Sequence, residues 1–427
     1  MRKYIKDIIR HPLFSGSAFM VIGLNGVNAL NYAYHILMVK LLGNPAHYGE
    51  LVALISLIGL LGVIPGSFNL VIIKYVSASK NDNEVKVLIN WFKDKILKVS
   101  LIFFILITIM SPLISSFLHI SKIWYVILIA ISFLFSLPAL LNRSILQGLL
   151  KFKEMILSIL LENSIKLILG AILVYLGFSV GGAMIGITVA LIIGWYVSEI
   201  YIKNYSGKSK ALSPNVKSMV LFALPVAIQS FATTSLYSSD IILVKHFFSS
   251  HEAGLYAALS TLGKIIFFGA GPIAAVMFPL ISKRYSKGEN YGKIFTYSFG
   301  ATSLFAAAML MIYWFFPGLV INTLSKSSYF EAKDLLFWFG LFVTLFTLSS
   351  ILISYNLSLG KTRVVLFPLM AAFAQIILIY LYHQSLFIVI LISILVTALL
   401  LVSLLIYSIY AKGALGDKVN IVDSSGL

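Results

Sequence analysis

Runs of about twenty mostly apolar residues recur from one end of the 427-residue chain to the other, separated by short stretches rich in Lys, Ser, Asn and Gly. A helix rises about 1.5 Å per residue and the hydrocarbon core is about 30 Å thick, so each run reads as a membrane-spanning helix. A membrane β-barrel would show segments of about ten residues with alternating polarity instead. Twelve spans are predicted, at about 13–38, 49–73, 99–118, 123–146, 156–177, 180–202, 218–244, 254–281, 295–316, 333–357, 364–382 and 385–410. The start, MRKYIKDIIRH, is basic, but the apolar stretch behind it is too long for a signal peptide. Asn25, Asn28 and Asn31 also interrupt it, and it lacks a small-residue cleavage site.

The pattern repeats. Shifting the chain by 205 positions lays NYAYHILMVKLLGNPAHYGELVALISL, from Asn31, on LYSSDIILVKHFFSSHEAGLYAALSTL, from Leu236. Tyr32, Ile36, Val39, Lys40, Gly49, Ala53, Leu54 and Leu57 then meet identical residues, and His35 meets Asp240. A second echo sets NRSILQGLLKF, from Asn142, against SYNLSLGKTRV, from Ser354, with Gly148 on Gly360 and Lys151 on Arg363. The expected fold is an all-α integral membrane protein of about twelve transmembrane helices in two six-helix halves. The halves are predicted at 1–202 and 218–427, with a Ser-, Gly-, Lys- and Pro-containing cytoplasmic linker at 203–217 and a central cavity between them.

Composition and charge sharpen this picture. The chain is 60% hydrophobic and 11% charged, with a mean hydropathy of +0.99. A soluble domain needs about a quarter of its residues charged, so that class is excluded. With alternate connections on opposite sides, one side collects Arg2, Lys3, Lys6 and Arg10, the lysines from Lys74 to Lys98, Arg143, Lys151, Lys153, Lys203, Lys208, Lys210 and Lys217. It also takes Lys283, Arg284, Lys287, Lys293, Lys361, Arg363, Lys412 and Lys418, which makes 25 of the 32 bases. The other side has Lys40, Lys122, Lys245, Lys326 and Lys333. The positive-inside rule therefore predicts a multi-pass protein of the cell membrane with both termini cytoplasmic. The net charge of +17 is then a topology signal spread over short loops, and no nucleic-acid partner is expected. Trp91 and Phe92, among lysines, suggest an interfacial amphipathic segment before the third span.

The stretches LVKHFFSSHEAGLYAALSTLGKIIFFGAGPIAAVMFPLIS, MVKLLGNPAHYGELVALISL, RSILQGLLKF and GFSVGGAMIGITVA resemble the polysaccharide-biosynthesis, Wzx-type flippases of the multidrug/oligosaccharidyl-lipid/polysaccharide (MOP, MATE-like) exporter superfamily. The resemblance covers most of the chain. It implies a flippase that carries a polyprenyl-diphosphate-linked oligosaccharide, such as an O-antigen or capsule repeat unit, to the outer leaflet by alternating access. It also implies that glycosyltransferases or a polymerase of the same pathway act as partners. Lipid II flippases of the superfamily typically carry two more C-terminal helices, which weighs against that cargo.

Candidate residues are the polar ones inside spans, where an ionised side chain costs roughly 2.5 to 3.5 kcal/mol. Lys264 suits a cavity cation drawing the diphosphate, or a structural partner for Asp240, which is itself a candidate for coupling to a proton or Na+. Glu162 and Lys166 lie four apart and can pair on one helix face, or separate during transport so that Lys166 takes phosphate. Asn25, Asn28, Asn31, Tyr32 and His35 form a polar stripe on the first span, and Gln229, Thr233, Tyr237 and Asp240 form one on the seventh. Both suit sugar hydroxyls and interhelical hydrogen bonds equally, and His35 fits a hydrogen-bonding or a proton-switch role. Arg143, with Gln147, sits at the inner mouth of the fourth span, either snorkelling to headgroups or meeting the diphosphate. Gly59, Gly62, Pro65 and Gly66, with Gly269, Gly271 and Pro272, mark helices that bend or pack closely.

No Gly-rich loop ending in Lys-Ser/Thr and no convincing set of metal ligands is evident, and the chain has no cysteine. An enzyme and a resident cofactor are therefore not expected, and the coupling ion is left open. A cation-coupled multidrug exporter is the first rival function, predicting an acid-dominated cavity. A membrane polysaccharide polymerase or ligase is the second, disfavoured by the repeat and the short outer loops.

Overall fold

The computed structural model describes residues 12–79, 81–205, 216–324 and 328–424. Twelve helices of 16 residues or more are present among them. These are α1 (Pro12–Leu42), α2 (Pro45–Ser77), α3 (Asp82–Phe117), α4 (Trp124–Gly148), α5 (Phe152–Leu173), α6 (Ser179–Ile202), α7 (Val216–Phe247), α8 (Ser250–Ser286), α9 (Gly292–Phe315), α10 (Lys333–Ser358), α11 (Leu366–Leu381) and α12 (Leu386–Ser424). A short helix, Pro317–Leu324, a π-helical stretch, Val174–Phe178, and a few 3-10 turns complete the elements; no strand occurs among the described residues. Ten stretches are long and apolar enough to cross a membrane, one of which, Phe152–Tyr205, runs through both α5 and α6. Several helices start earlier or end later than hydropathy places them, because hydrogen-bonded helix continues past the apolar run into polar residues.

Local chemistry explains the turns. Between α1 and α2, Gly43 takes a left-handed φ of 65°, Asn44 caps α2 by accepting from Ala46 N at 2.9 Å, and Pro45 opens the helix. Each residue has the geometry its position demands. Between α5 and α6, the chain reverses at Gly177, with φ 91°. Gly182 then faces Leu173 and Gly186 faces Gly170, so the helices run antiparallel, close enough that a β-carbon on Gly186 would sit 2.7 Å from the Gly170 backbone.

The chain forms two compact units, Met1–Ala227 with Phe248–Ala257, and Ile228–Phe247 with Ala258–Leu427. The division falls inside α7 and again inside α8. Of the expected linker, residues 206–215 lie outside the described residues, as do Lys80, Lys326 and the bases of MRKYIKDIIRH. In the first unit, α4 packs among α2, α3 and α6, and α5 packs on α1 and α6. Polar clamps sit in these seams: Ser132 to Thr188 at 3.1 Å, and Asn142 to Ser198 and Glu199, both at 3.1 Å. In the second unit, Met277 and Ile281 of α8 join Ile351, Tyr355 and Leu359 in an apolar cluster, and Asn356 of α10 donates to Ser408 of α12 at 2.7 Å. Large apolar side chains such as Leu101, Ile102, Ile105, Ile109 and Leu113 of α3 are exposed, as suits a helix solvated by lipid.

The segment around Trp91 is continuous with the third span, in the early turns of α3, with Phe92 buried and Lys93 paired to Glu199 of α6. One expectation is corrected. The register of the second echo shifts by two residues. Lys151 N bonds Leu146 O and Lys361 N bonds Asn356 O, so the left-handed position in each turn is Leu150 and Gly360. Hydrogen bonding fixes that register, whereas Gly148 is small because Val76 lies 2.9 Å from where its β-carbon would be.

Glu50, 4% exposed, accepts from Ser121 N at 2.6 Å and from Ser121 Oγ at 3.2 Å, fastening α2 to the loop before α4. Glu50→Ala is expected to cost about 1 to 3 kcal/mol, because it strands a backbone N–H, and a thermal melt against wild type checks this.

Candidate functional site

Two groups of the candidate polar residues stand out, one in each unit. In the first unit, Asn31 and Tyr34 lie three apart on α1 and so share a face. Lys166 of α5 comes to both: its Nζ donates to Asn31 Oδ1 and lies 5.0 Å from the centre of the Tyr34 ring, a cation–π contact. Asn31 is held in turn by its own donation to Val27 O at 3.1 Å. A cavity of about 190 Å³ opens here, walled by Asn31, Tyr34 and His35, by Ile55 and Ile58 of α2, by Glu162 and Lys166, and by Ile187, Ala190 and Leu191 of α6. His35 shares a 3.1 Å hydrogen bond with Tyr48 of α2.

The expected Glu162–Lys166 pair is not what forms. Glu162 turns instead to Arg143 of α4, whose Nη2 lies 2.6 Å from its Oε2. The same guanidinium donates from Nε to Ser158 Oγ at 3.1 Å, and from Nη2 to Ser158 O at 3.4 Å. A planar fork with several donors outcompetes a single ammonium for this carboxylate. The Arg143 side chain is 14% exposed, with both Nε and Nη2 hydrogen-bonded. Gly194 of α6 leaves room for the pair, since a β-carbon there would overlap Glu162 and lie 2.8 Å from Arg143 Nη2.

In the second unit, Lys264 of α8 stands 5.1 Å from the centre of the Tyr237 ring of α7. Tyr237 also packs against Phe267 of α8 and Phe346 of α10, with ring centres 5.7 and 5.9 Å away. Asp240, one turn on from Tyr237, is fully buried; its Oδ1 accepts from Ile241 N at 2.9 Å, and its charge acts on Lys264. Gln229 donates to Thr233 at 2.9 Å within its own helix. The 205-residue shift matches Lys264 to Gly59 of α2, where a β-carbon would meet nothing within 4 Å.

The polar stripe on α1 thus divides. Asn31 and His35 face the cavity, Tyr32 is half-buried, and Asn25 and Asn28 are exposed. Tyr34 was not anticipated, although its place three residues after Asn31 is the signal that finds it. Of the candidate bending glycines, Gly269 abuts Phe305, but Gly59, Gly62, Gly66 and Gly271 have open space, so close packing does not account for them. No cluster of three or more His, Asp or Glu able to hold a metal occurs among the described residues.

The profile of a family described as "Polysaccharide biosynthesis protein" matches residues 15–284. The uncharacterized membrane protein MJ1375 of Methanocaldococcus jannaschii is 29% identical over 157 residues, which is 33% of this chain and only 37% of that relative's length. The fold is similar to that of the lipid II flippase MurJ in an inward closed conformation, with a TM-score of 0.73 at 15% identity over 92% of this chain and 87% of that one. It is also similar to an inward-facing multidrug resistance MATE family transporter of the MOP superfamily, with a TM-score of 0.69 at 15% identity over 91% and 96% of the two chains. By the profile match the chain belongs to the polysaccharide biosynthesis protein family, and it carries the fold of the MOP superfamily transporters.

Proposed function

We propose that this protein is a flippase that moves a polyprenyl-diphosphate-linked oligosaccharide from the cytoplasmic to the outer leaflet of the cell membrane by alternating access. The observation that carries this reading is the sign of the charge left over inside the spans. Lys166 faces a cavity where two bases, Arg143 and Lys166, meet one carboxylate, Glu162, and Lys264, balanced by Asp240, stands over an aromatic cluster in the other unit. Lysines in membrane spans are costly, and a compact ammonium suits phosphate oxygens. The aromatic and amide groups around them suit sugar faces and hydroxyls, while the polyprenyl tail stays in lipid. Family membership and the MurJ-like fold support a lipid-linked cargo. The distribution of bases supports cytoplasmic termini.

A cation-coupled multidrug exporter is the second reading, favoured by one observation: Asp240 is a fully buried carboxylate suited to a proton or Na+. Proteoliposomes separate the two. Wild-type protein is expected to expose a labelled polyprenyl-diphosphate saccharide to the opposite leaflet and to leave a trapped cationic dye in place. Dye movement driven by a proton or sodium gradient, without saccharide movement, overturns the flippase reading in favour of the exporter.

A further inference from the structure

The charges at the first-unit cavity form a set of three on two helices. Arg143 belongs to α4, while Glu162 and Lys166 sit one turn apart on α5. A carboxylate four residues before a lysine on a helix is in the favoured order for pairing, yet Glu162 is drawn to Arg143 at 2.6 Å. Arg143 is itself pinned by Ser158, whose hydroxyl is tied to Met155 O at 2.8 Å, and Gly194 keeps the space clear. Lys166 bonds a neutral amide oxygen and lies over an aromatic face; Glu162 still acts on it through space, but its direct ion pair goes to Arg143. The remaining titratable group on the cavity wall is His35, hydrogen-bonded to Tyr48, and the buried Tyr34 hydroxyl has no hydrogen-bond partner among the described residues.

We propose that Arg143 is a positioning residue: by capturing Glu162 it prevents the helical Glu162–Lys166 pair and keeps the cavity positive, so that Lys166 with Asn31 and Tyr34 forms an anion site of phosphate or diphosphate class. The inference rests on the flippase reading for its biological cargo, but its chemistry is independent of lipid. Without Arg143, Glu162 swings to Lys166 and the cavity becomes neutral. Arg143 thus sets affinity without touching the ligand.

The test is binding of inorganic pyrophosphate to the full chain in nanodiscs by calorimetry, with a thermal melt to verify folding of each variant. Wild type binds, Lys166→Ala weakens binding by about tenfold or more, and Arg143→Gln weakens it to a similar extent. The decisive variant is Arg143→Gln/Glu162→Gln, which is expected to return to within about threefold of wild type, because the competing carboxylate is gone. Glu162→Gln alone binds at least as tightly as wild type, and carries the test should Arg143→Gln fail to fold. Weak binding that the double variant does not restore makes Arg143 merely structural and overturns the proposal, as does a weaker Glu162→Gln. Absence of pyrophosphate binding to wild type also overturns it, and if saccharide flipping persists in proteoliposomes the flippase reading survives that result.

Discussion

Lys264→Gln is expected to slow saccharide translocation in proteoliposomes by roughly ten- to hundredfold while leaving the melting temperature at or above that of wild type. A charge-assisted hydrogen bond to a phosphate oxygen is worth about 1.5 to 3 kcal/mol, and that range sets the loss. Stability moves the other way because an ionised lysine in a span costs roughly 2.5 to 3.5 kcal/mol, which glutamine removes. The contact with Tyr237 recovers part of that cost, about 1 to 2 kcal/mol for a desolvated cation–π pair. The opposite pattern, normal transport with a lowered melting temperature, identifies Lys264 as a structural counter-charge for buried Asp240 and removes it from the cargo site.

Gly254→Ala is expected to destabilise the protein by about 1 to 3 kcal/mol, the usual cost of forcing an extra carbon into a packed site. Gly254 opens α8 within the first unit, and its β-carbon would overlap the Pro45 carbonyl and lie 2.7 Å from Pro45 Cα. Gly49, its partner under the 205-residue shift, would in turn approach Gly254 N at 2.7 Å. These are backbone atoms, so no side chain can rotate away. Gly59→Ala is the control, since nothing lies within 4 Å of it. Equal melting of Gly254→Ala and Gly59→Ala would mean that the approach of α8 to Pro45 is not tight in solution.

Hydrophobic run length carried most of the architecture, because lipid imposes the same demand on every span, and no tertiary detail is needed to satisfy it. Twelve helices were therefore legible. Helix ends were not: α3 begins at Asp82, well before its apolar run, because its polar first turns are capped by Asn81 and joined to α6 through Lys93 and Glu199. The candidate site was legible as a set of polar residues and illegible as a set of partners. Periodicity shows that Glu162 can reach Lys166. It cannot show that Arg143, nineteen positions earlier, arrives from another helix with a better-matched donor array. Tyr34 escaped notice for the same reason, since an aromatic ring declares itself part of a site only once a cation is seen above it.

On the flippase reading proposed above, the match of Lys264 to Gly59 in the 205-residue echo bears on how a repeated pattern serves a directional ligand. Two identical repeats would recognise a twofold object. A lipid-linked sugar is not twofold, having one acidic end and one neutral end. A β-carbon at Gly59 would meet nothing within 4 Å, so packing around that backbone position does not by itself demand glycine. Differences of this kind cost few mutations, so relatives of this chain are expected to swap cargo by redistributing a handful of cations over an unaltered frame.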